Sequence, residues 1–304
     1  MIYIENPSTD PYENQALEET LFHTAEAEDL FFLWRNEPVV VCGKYQNLFG
    51  EVHVPAAHAQ NVALIRRVSG GGTVYHDLGN INYSMITSCE PATVEYTQFL
   101  QPMIEALRSL GVEAQIVAGN GIGVEGKKIS GSAQRMVKRR VLHHGTLLFD
   151  TDLTRLRTLA NGAAAGDVSR ATASNPWPVT NLKPYLPQYE TAEAFLSALY
   201  DALDARYGFN KRALTEAERK ETRMLAETKY RDWDWTFGGG PPFERTRVLQ
   251  TKDGALPVTL TIKKGIVQEV EAADERFRAL SGVRFDPDAI GRMIGDRRLA
   301  EQLF

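Results

Sequence analysis

The chain has little cysteine. Cys42 and Cys89 are its only two among 304 residues. No Cys-x-x-Cys pair or histidine cluster has zinc spacing, which excludes a disulfide scaffold and a zinc-finger module. Two unpaired thiols fit a reducing compartment, so a cytoplasmic location is expected. The chain also lacks positive excess: 34 Lys and Arg against 39 Asp and Glu leave a net charge of −5. That argues against a general nucleic-acid binder. No apolar run approaches the ~20 residues needed to span a bilayer. The N-terminus, Met1-Ile2-Tyr3-Ile4-Glu5-Asn6, lacks the basic segment and apolar core of a signal peptide. Neither a membrane nor a nucleic-acid partner is expected. Internal repeats and low-complexity tracts are absent too.

What remains is an ordinary globular composition, 43% hydrophobic and 24% charged, enough for one large domain or two unequal ones. Ala16, Leu17, Leu21 and Phe22 recur at helical spacing and predict a helix from Pro11 to about Glu28. Leu30–Trp34 and Val39–Cys42 are buried strand candidates split by the turn Asn36-Glu37-Pro38. Further helices are predicted at Thr93–Leu110, Asp152–Leu159 and Thr191–Tyr207, and a hairpin at Lys128–Met136 and Val141–Asp150. Residues 161–181 are rich in Gly, Ala, Ser and Asn and show no period, which suggests a functional or mobile loop. Trp233, Trp235 and Phe237 alternate as in a strand. Gly238-Gly239-Gly240-Pro241-Pro242 then breaks any regular element and is expected to be a flexible linker. Three strands and two helical segments follow. The pattern is α+β or α/β rather than all-β, with a large domain at 1–240 and a small one at 243–304. The expectation taken forward is α+β, with a mixed or antiparallel sheet flanked by helices in the large domain and a small α+β second domain.

Two stretches carry chemistry. In Arg66-Arg67-Val68-Ser69-Gly70-Gly71-Gly72-Thr73-Val74-Tyr75-His76-Asp77, three glycines lie between strand-like runs. Their N–H groups can cradle an anion, with the arginines adding charge at the rim. A wide turn with two solvated arginines is the alternative. In Gly126-Lys127-Lys128-Ile129-Ser130-Gly131-Ser132-Ala133-Gln134, strand alternation puts Lys128, Ser130, Ser132 and Gln134 on one face. That row suits an oxyanion or phosphoryl site, or else a polar edge strand.

Together these stretches resemble the lipoate–protein ligase A family of the biotin/lipoate ligase superfamily. The resemblance continues in Leu78-Gly79-Asn80, in His143-His144-Gly145-Thr146-Leu147-Leu148, in Leu33-Trp34-Arg35-Asn36 and in Gln46-Asn47. The family's junction pattern, Trp-x-Trp…Gly…Pro-x-Phe, matches Trp233 to Phe243. The resemblance implies an ATP-dependent enzyme that converts lipoate or octanoate to the acyl-adenylate. It would then transfer the acyl group to a lysine of an apo lipoyl-domain protein, such as a 2-oxoacid dehydrogenase E2 subunit or the glycine cleavage H protein. ATP, Mg2+ and lipoate are the implied cofactor and substrates, and a monomer is expected.

By the same resemblance Lys128 is the central catalytic residue, touching both acyl carbonyl and phosphate. Arg67, Gly72, Thr73, Val74, Tyr75, Asn80 and Thr146 join it around ATP or the adenylate. Lys128, His76 and Gly71 are the lipoate-binding candidates. Leu33, Val41, Gly43 and Tyr45 are candidates for an apolar acyl tunnel. His143 and His144 are expected to be structural or to line that tunnel. The basic run Arg135–Arg140 is a candidate dock for an acidic lipoyl domain. The sequence departs from the family once: the usual Asn-Asp before the lysine strand is Asn120-Gly121, which removes an acid able to place magnesium or adenine. An ATP-independent acyltransferase using a cysteine nucleophile, a biotin ligase and a non-catalytic lipoyl-adenylate binder are the competing readings.

Overall fold

The computed structural model describes residues 1–25, 28–89, 95–160 and 167–304. In chain order these form β1 (Ile2–Ile4), α1 (Pro11–Thr24), β2 (Leu30–Trp34), β3 (Val39–Cys42), α2 (Leu48–Glu51) and α3 (Val54–Ala59). The glycine stretch lies between β4 (Ala63–Arg66) and β5 (Val74–His76), and β6 (Asn80–Ser88) and α4 (Tyr96–Ser109) follow. Then come β7 (Gln115–Val117), β8 (Gly121–Val124), β9 (Lys127–Val137), β10 (Arg140–Leu148), α5 (Leu153–Leu159) and β11 (Asp167–Ser169). The last part holds α6 (Ala192–Tyr207), β12 (Asn210–Arg212), α7 (Glu216–Leu225), α8 (Trp233–Thr236), β13 (Phe243–Thr251), β14 (Gly254–Lys263) and β15 (Ile266–Ala272). The short helices α9 (Glu275–Arg278), α10 (Pro287–Ile294) and α11 (Arg297–Glu301) end the chain.

The main sheet has eight strands in the order β12-β1-β2-β6-β10-β9-β8-β7. Its β12-β1-β2 edge is parallel, and the rest is antiparallel. All five residues of β2 are buried, because both faces of the sheet are covered. Phe31 and Leu33 join a core under α4 and α6 with Phe99, Leu107, Phe195 and Leu199. Phe32 and Trp34 face the other way, toward Leu17 and Leu21 of α1 and toward Val39, Val41 and Ile65. Those last three belong to a smaller sheet, β4-β3-β5, so the glycine stretch hangs over one face of the large sheet. This is the expected α+β arrangement.

The C-terminal strands form a third sheet, β11-β13-β14-β15. Its first strand comes from residues 167–169, far upstream. Its core runs without a break into the outer face of the small sheet: Val40, Cys42, Leu64 and Tyr75 cluster with Phe49, Leu249, Leu260 and Phe285. Arg245, fully buried, ties the parts together. It forks onto Asp167 at 2.7 and 2.6 Å and donates to the carbonyls of Phe49 and Leu303.

Several boundaries differ from expectation. Asp10 caps α1, accepting from Tyr12 and Glu13, and the helix ends at Thr24; residues 26–27 of the expected span lie outside the described residues. The helix expected from Thr93 starts at Tyr96, with Thr93 itself outside the described residues. Of the irregular stretch 161–181, residues 161–166 are likewise outside. Trp233-Asp234-Trp235-Thr236 is helical, not a strand: Asp232 caps it by accepting from the Asp234 N–H. The capping acid outweighs the aromatic alternation. The glycines at 238–240 are packed, not a free linker. A Cβ on Gly239 would lie 2.4 Å from the Trp235 carbonyl and 3.1 Å from Arg66 Cδ.

Candidate active site

A cavity of about 170 Å3 lies between the large sheet and the glycine stretch. Trp34, Asn82, His144, Thr146, Gly131 and Ala133 form its floor, and Gln15 of α1 closes one side. Val41, Arg67, Gly72, Thr73, Val74 and His76 come from the small sheet, and Ser174 and Asn175 from the strap that follows β11. Of the residues singled out in the sequence, the fold therefore brings Lys128, Arg67, Gly72, Thr73, Val74, His76, Ser132, His144, Thr146 and Val41 to one cavity.

The rest lie elsewhere. The Tyr75 side chain is buried in the core shared with the C-terminal sheet, because alternation along β5 turns it away from Val74 and His76. Asn80 is buried behind the wall, where its Nδ2 donates to Asn82 Oδ1 at 2.9 Å. Gly71 does not line the cavity. Its carbonyl lies where a Cβ on Gly43 would sit, 2.1 Å away, so positions 43 and 71 touch backbone to backbone. Leu33 is in the opposite core, and Tyr45 is exposed, with its ring beside Gly70.

Neither arginine is at a solvated rim. Arg66 is 1% exposed and Arg67 5%. Arg66 donates to the carbonyls of Gly43, Gln46 and Thr236 at 2.8, 2.9 and 3.0 Å. Arg67 holds the glycine stretch: Nη2 reaches the carbonyls of Gly70 and Gly72 at 2.6 and 2.7 Å, Nη1 that of Val41, and Nε the Ser69 hydroxyl. With its carbonyls turned to Arg67, the loop leaves the N–H groups of Gly71 and Gly72 without a partner among the described residues. Gly71 takes φ +84°, in the left-handed region that glycine permits. The Thr73 N–H is held instead by Ser174 Oγ at 3.0 Å. Gln46 Nε2 and Glu51 fix that hydroxyl in turn.

Lys128 enters from the opposite wall. Strand alternation does not place it as expected. Ile122 pairs with Ser130 but Gly123 with Lys128, so β9 carries one extra residue, a bulge at Ile129. The bulge brings both Lys128 and Gly131 to the cavity and buries Ser130 at 1% exposure. The lysine lies over two glycines. A Cβ on Gly121 would be 2.6 Å from its Cε, and one on Gly131 would be 3.5 Å from its Nζ. Position 121, where the family carries an acid, is filled here by the lysine stem. No hydrogen bond or ion pair holds Nζ among the described residues, and burial alone lowers its pKa from 10.5. A half-buried ammonium without a counter-charge favours an anion in the cavity.

The histidines differ. His143 faces away, stacked on Phe99 with centroids 4.8 Å apart. His144 lines the cavity inside a buried chain: Ser69 Oγ lies 2.7 Å from Nε2 and Glu18 Oε1 2.8 Å from Nδ1. Glu18 also accepts from Ser84 at 2.6 Å. His76 lines the cavity with Nε2 unpartnered. Burial, and then the charges of Arg67 and His144, push its pKa down to about 3. Sequence reasoning missed Gln15, Glu18, Glu51, Asn82, Ser174 and Asn175. Their only signal was polarity inside otherwise apolar or unpatterned segments.

Magnesium finds no seat of its own. Among the described residues no Asp or Glu lines the cavity, and no group of three His, Cys, Asp or Glu could hold a metal. Magnesium binds proteins through one or two carboxylates plus substrate phosphates, so these residues do not fit a protein-held ion.

The family model of the lipoyl protein ligase A/B catalytic domain matches residues 10–204. Lipoate–protein ligase LplJ of Bacillus subtilis is 32% identical over 288 residues, covering 91% of this chain and 86% of its own. Two solved structures share the fold. One is an archaeal bi-partite lipoate protein ligase from Thermoplasma acidophilum, studied with its E2 lipoyl domain: TM-score 0.67, 22% identity, 78% of this chain and 96% of that one. The other is a lipoate–protein ligase A bound with ATP: TM-score 0.65, 24% identity, 78% and 98%. On the family match and the LplJ identity, the chain belongs to the lipoyl protein ligase A/B family.

Proposed function

We propose that this protein is an ATP-dependent lipoate–protein ligase and that Lys128 is its central catalytic residue. The observation that carries this reading is the unpaired Lys128 ammonium facing the glycine stretch across one cavity. A carboxylate does not react with an amine at neutral pH. Its oxygen first attacks the α-phosphorus of ATP, pyrophosphate leaves, and an acyl-adenylate remains. The acceptor lysine then attacks the acyl carbon and AMP departs with the bonding electrons. Both steps develop negative charge at one place, which a fixed ammonium and a free amide stabilise without reorganising. Lys128 supplies the first, and the Gly72 N–H on the cavity wall supplies the second. Arg67 holds the loop in that orientation. Gly72, Thr73, Val74 and Thr146 shape the nucleotide side, and His76 bounds the acyl side.

Neither cysteine supports the transferase reading: Cys89 does not line the cavity, and burial raises its thiol pKa. Cys42 is fully buried, within 3.6 Å of the Gly43 carbonyl, and burial raises its pKa. Residues 243–304 act as an accessory domain in this account, pinned to the strap through Arg245 and Asp167. A lipoyl-domain protein docks at the β9–β10 tip, where Lys138 is exposed. Arg135 is engaged by Glu19, and Arg140 by the Ala25 and Glu28 carbonyls. The setting is the cytoplasm and the working form a monomer; among the described residues no helix is long and apolar enough to cross a membrane. The test is lipoate-dependent ATP–pyrophosphate exchange followed by transfer to an apo lipoyl domain. A ligase performs both. Transfer only from an acyl-carrier thioester identifies a transferase, and lipoate uptake with neither activity identifies a binder.

A further inference from the structure

The cavity floor crosses the large sheet at right angles to its strands. It runs from Trp34 on β2 to Asn82 on β6, Thr146 on β10 and Gly131 on β9. Three inter-strand steps separate the Trp34 end from the Lys128 end by about 14 Å. With a carboxylate at Lys128, a medium-length acyl chain points its far end at Trp34, Gln15, Asn82 and His76. That end is deeply buried: these four are 1–4% exposed.

It is not apolar, however. Gln15 Oε1, His76 Nε2 and Asn82 Nδ2 are buried with no partner in the protein. For His76 the proton can be placed. Asn14 Nδ2 donates to the carbonyls of Ser8 and Arg35 at 3.1 and 3.0 Å, and neither carbonyl can donate in return. Its two protons are shared with a third contact, Asn36 Oδ1 at 2.8 Å, so that atom is an acceptor too. Asn36 Nδ2 then donates to His76 Nδ1 at 3.1 Å. Nδ1 is an acceptor, so the ring proton sits on Nε2 and points into the cavity. The low pKa keeps the ring neutral near pH 7.

We propose that the buried end of this cavity selects acyl chains whose far end carries hydrogen-bond-accepting sulfur, with His76 Nε2–H as the donor and Asn14 and Asn36 as its positioning residues. The proposal rests on the ligase reading and sharpens its substrate. A saturated hydrocarbon end strips water from the donor and offers nothing back, whereas a 1,2-dithiolane brings two sulfur acceptors.

Binding of lipoate and octanoate to the full chain without ATP tests this. Wild type is expected to favour lipoate at least about fivefold. His76→Phe should bring the two dissociation constants within twofold of each other, by weakening lipoate. Histidine 15N spectra of wild type should show His76 protonated at Nε2, with that resonance moved by lipoate but not by octanoate. Asn36→Ala should mix the two tautomers. The spectra carry the test if His76→Phe fails to fold. Wild-type affinities within twofold, or a proton on Nδ1, overturn the proposal. If both acids bind equally and still drive pyrophosphate exchange, this inference fails alone. If neither binds nor drives exchange, the ligase reading fails with it.

Discussion

Arg67 and Lys128 face one cavity from opposite walls, and their surroundings use them in opposite ways. Every guanidinium nitrogen of Arg67 is hydrogen-bonded, mostly to carbonyls of the glycine stretch. The ammonium of Lys128 has no protein partner among the described residues, and two glycines clear the space around it. The first cation therefore shapes the loop, and the second is available to an anion. A planar fork suits bracing several carbonyls, and a compact point charge suits a site where charge appears during reaction. Proximity to a cavity does not separate these roles; the state of the donors does.

The largest expected effect breaks the comparison on the lysine side. Lys128→Ala should lower lipoate-dependent pyrophosphate exchange by about a thousandfold, with a thermal midpoint at or slightly above wild type because a desolvated charge is removed. Arg67→Lys should damage both properties. Lysine cannot fork across Gly70 and Gly72, so stability should fall by about 2–3 kcal/mol and exchange by roughly a hundredfold, read by denaturant titration and assay. Gly121→Asp sharpens the contrast by displacing the Lys128 stem, because a Cβ there lies 2.6 Å from Lys128 Cε and 2.7 Å from the Ser130 carbonyl. Exchange should fall about tenfold, and added salt should not restore it.

A smaller effect concerns the buried histidines and the pH dependence of stability. His143, like His76, has its pKa lowered to about 3, first by burial and then by the charge of His144. Below pH 6.5 the unfolded chain takes up protons that the folded one refuses. Stability should therefore fall by about 1.4 kcal/mol per pH unit per histidine between 6.5 and 3. His143→Phe should flatten that slope in urea titrations. The smallest effect is expected at the β9–β10 tip. Reversing Lys138 should slow acyl transfer severalfold and leave pyrophosphate exchange unchanged, because rim charge acts mainly on encounter.

Much of this site was legible in the chain. Lys128, Arg67, Gly72–Val74, His76 and Thr146 lie in contiguous motifs whose glycines and charges have few other uses. What could not be read is whatever a distant segment supplies. Ser174 reaches Glu51 and Gln46 across more than a hundred residues, and Glu18 reaches His144 from an unremarkable helix. The bulge at Ile129 was hidden because period-two counting assumes an unbroken ladder. The short strand Asp167–Ser169 was hidden because its partner, β13, lies some eighty residues on. Trp233–Thr236 misled for a local reason: alternating tryptophans looked like a strand, while Asp232 was already a helix cap.

The most direct measurement is the titration of the Lys128 amine itself, by NMR of the lysine-labelled protein with and without a non-hydrolysable lipoyl-adenylate analogue. Free protein should show an amine titrating below 10.5, and the bound analogue should raise that value by placing its phosphate against the ammonium. An analogue that binds tightly yet leaves the Lys128 titration unmoved would contradict the account.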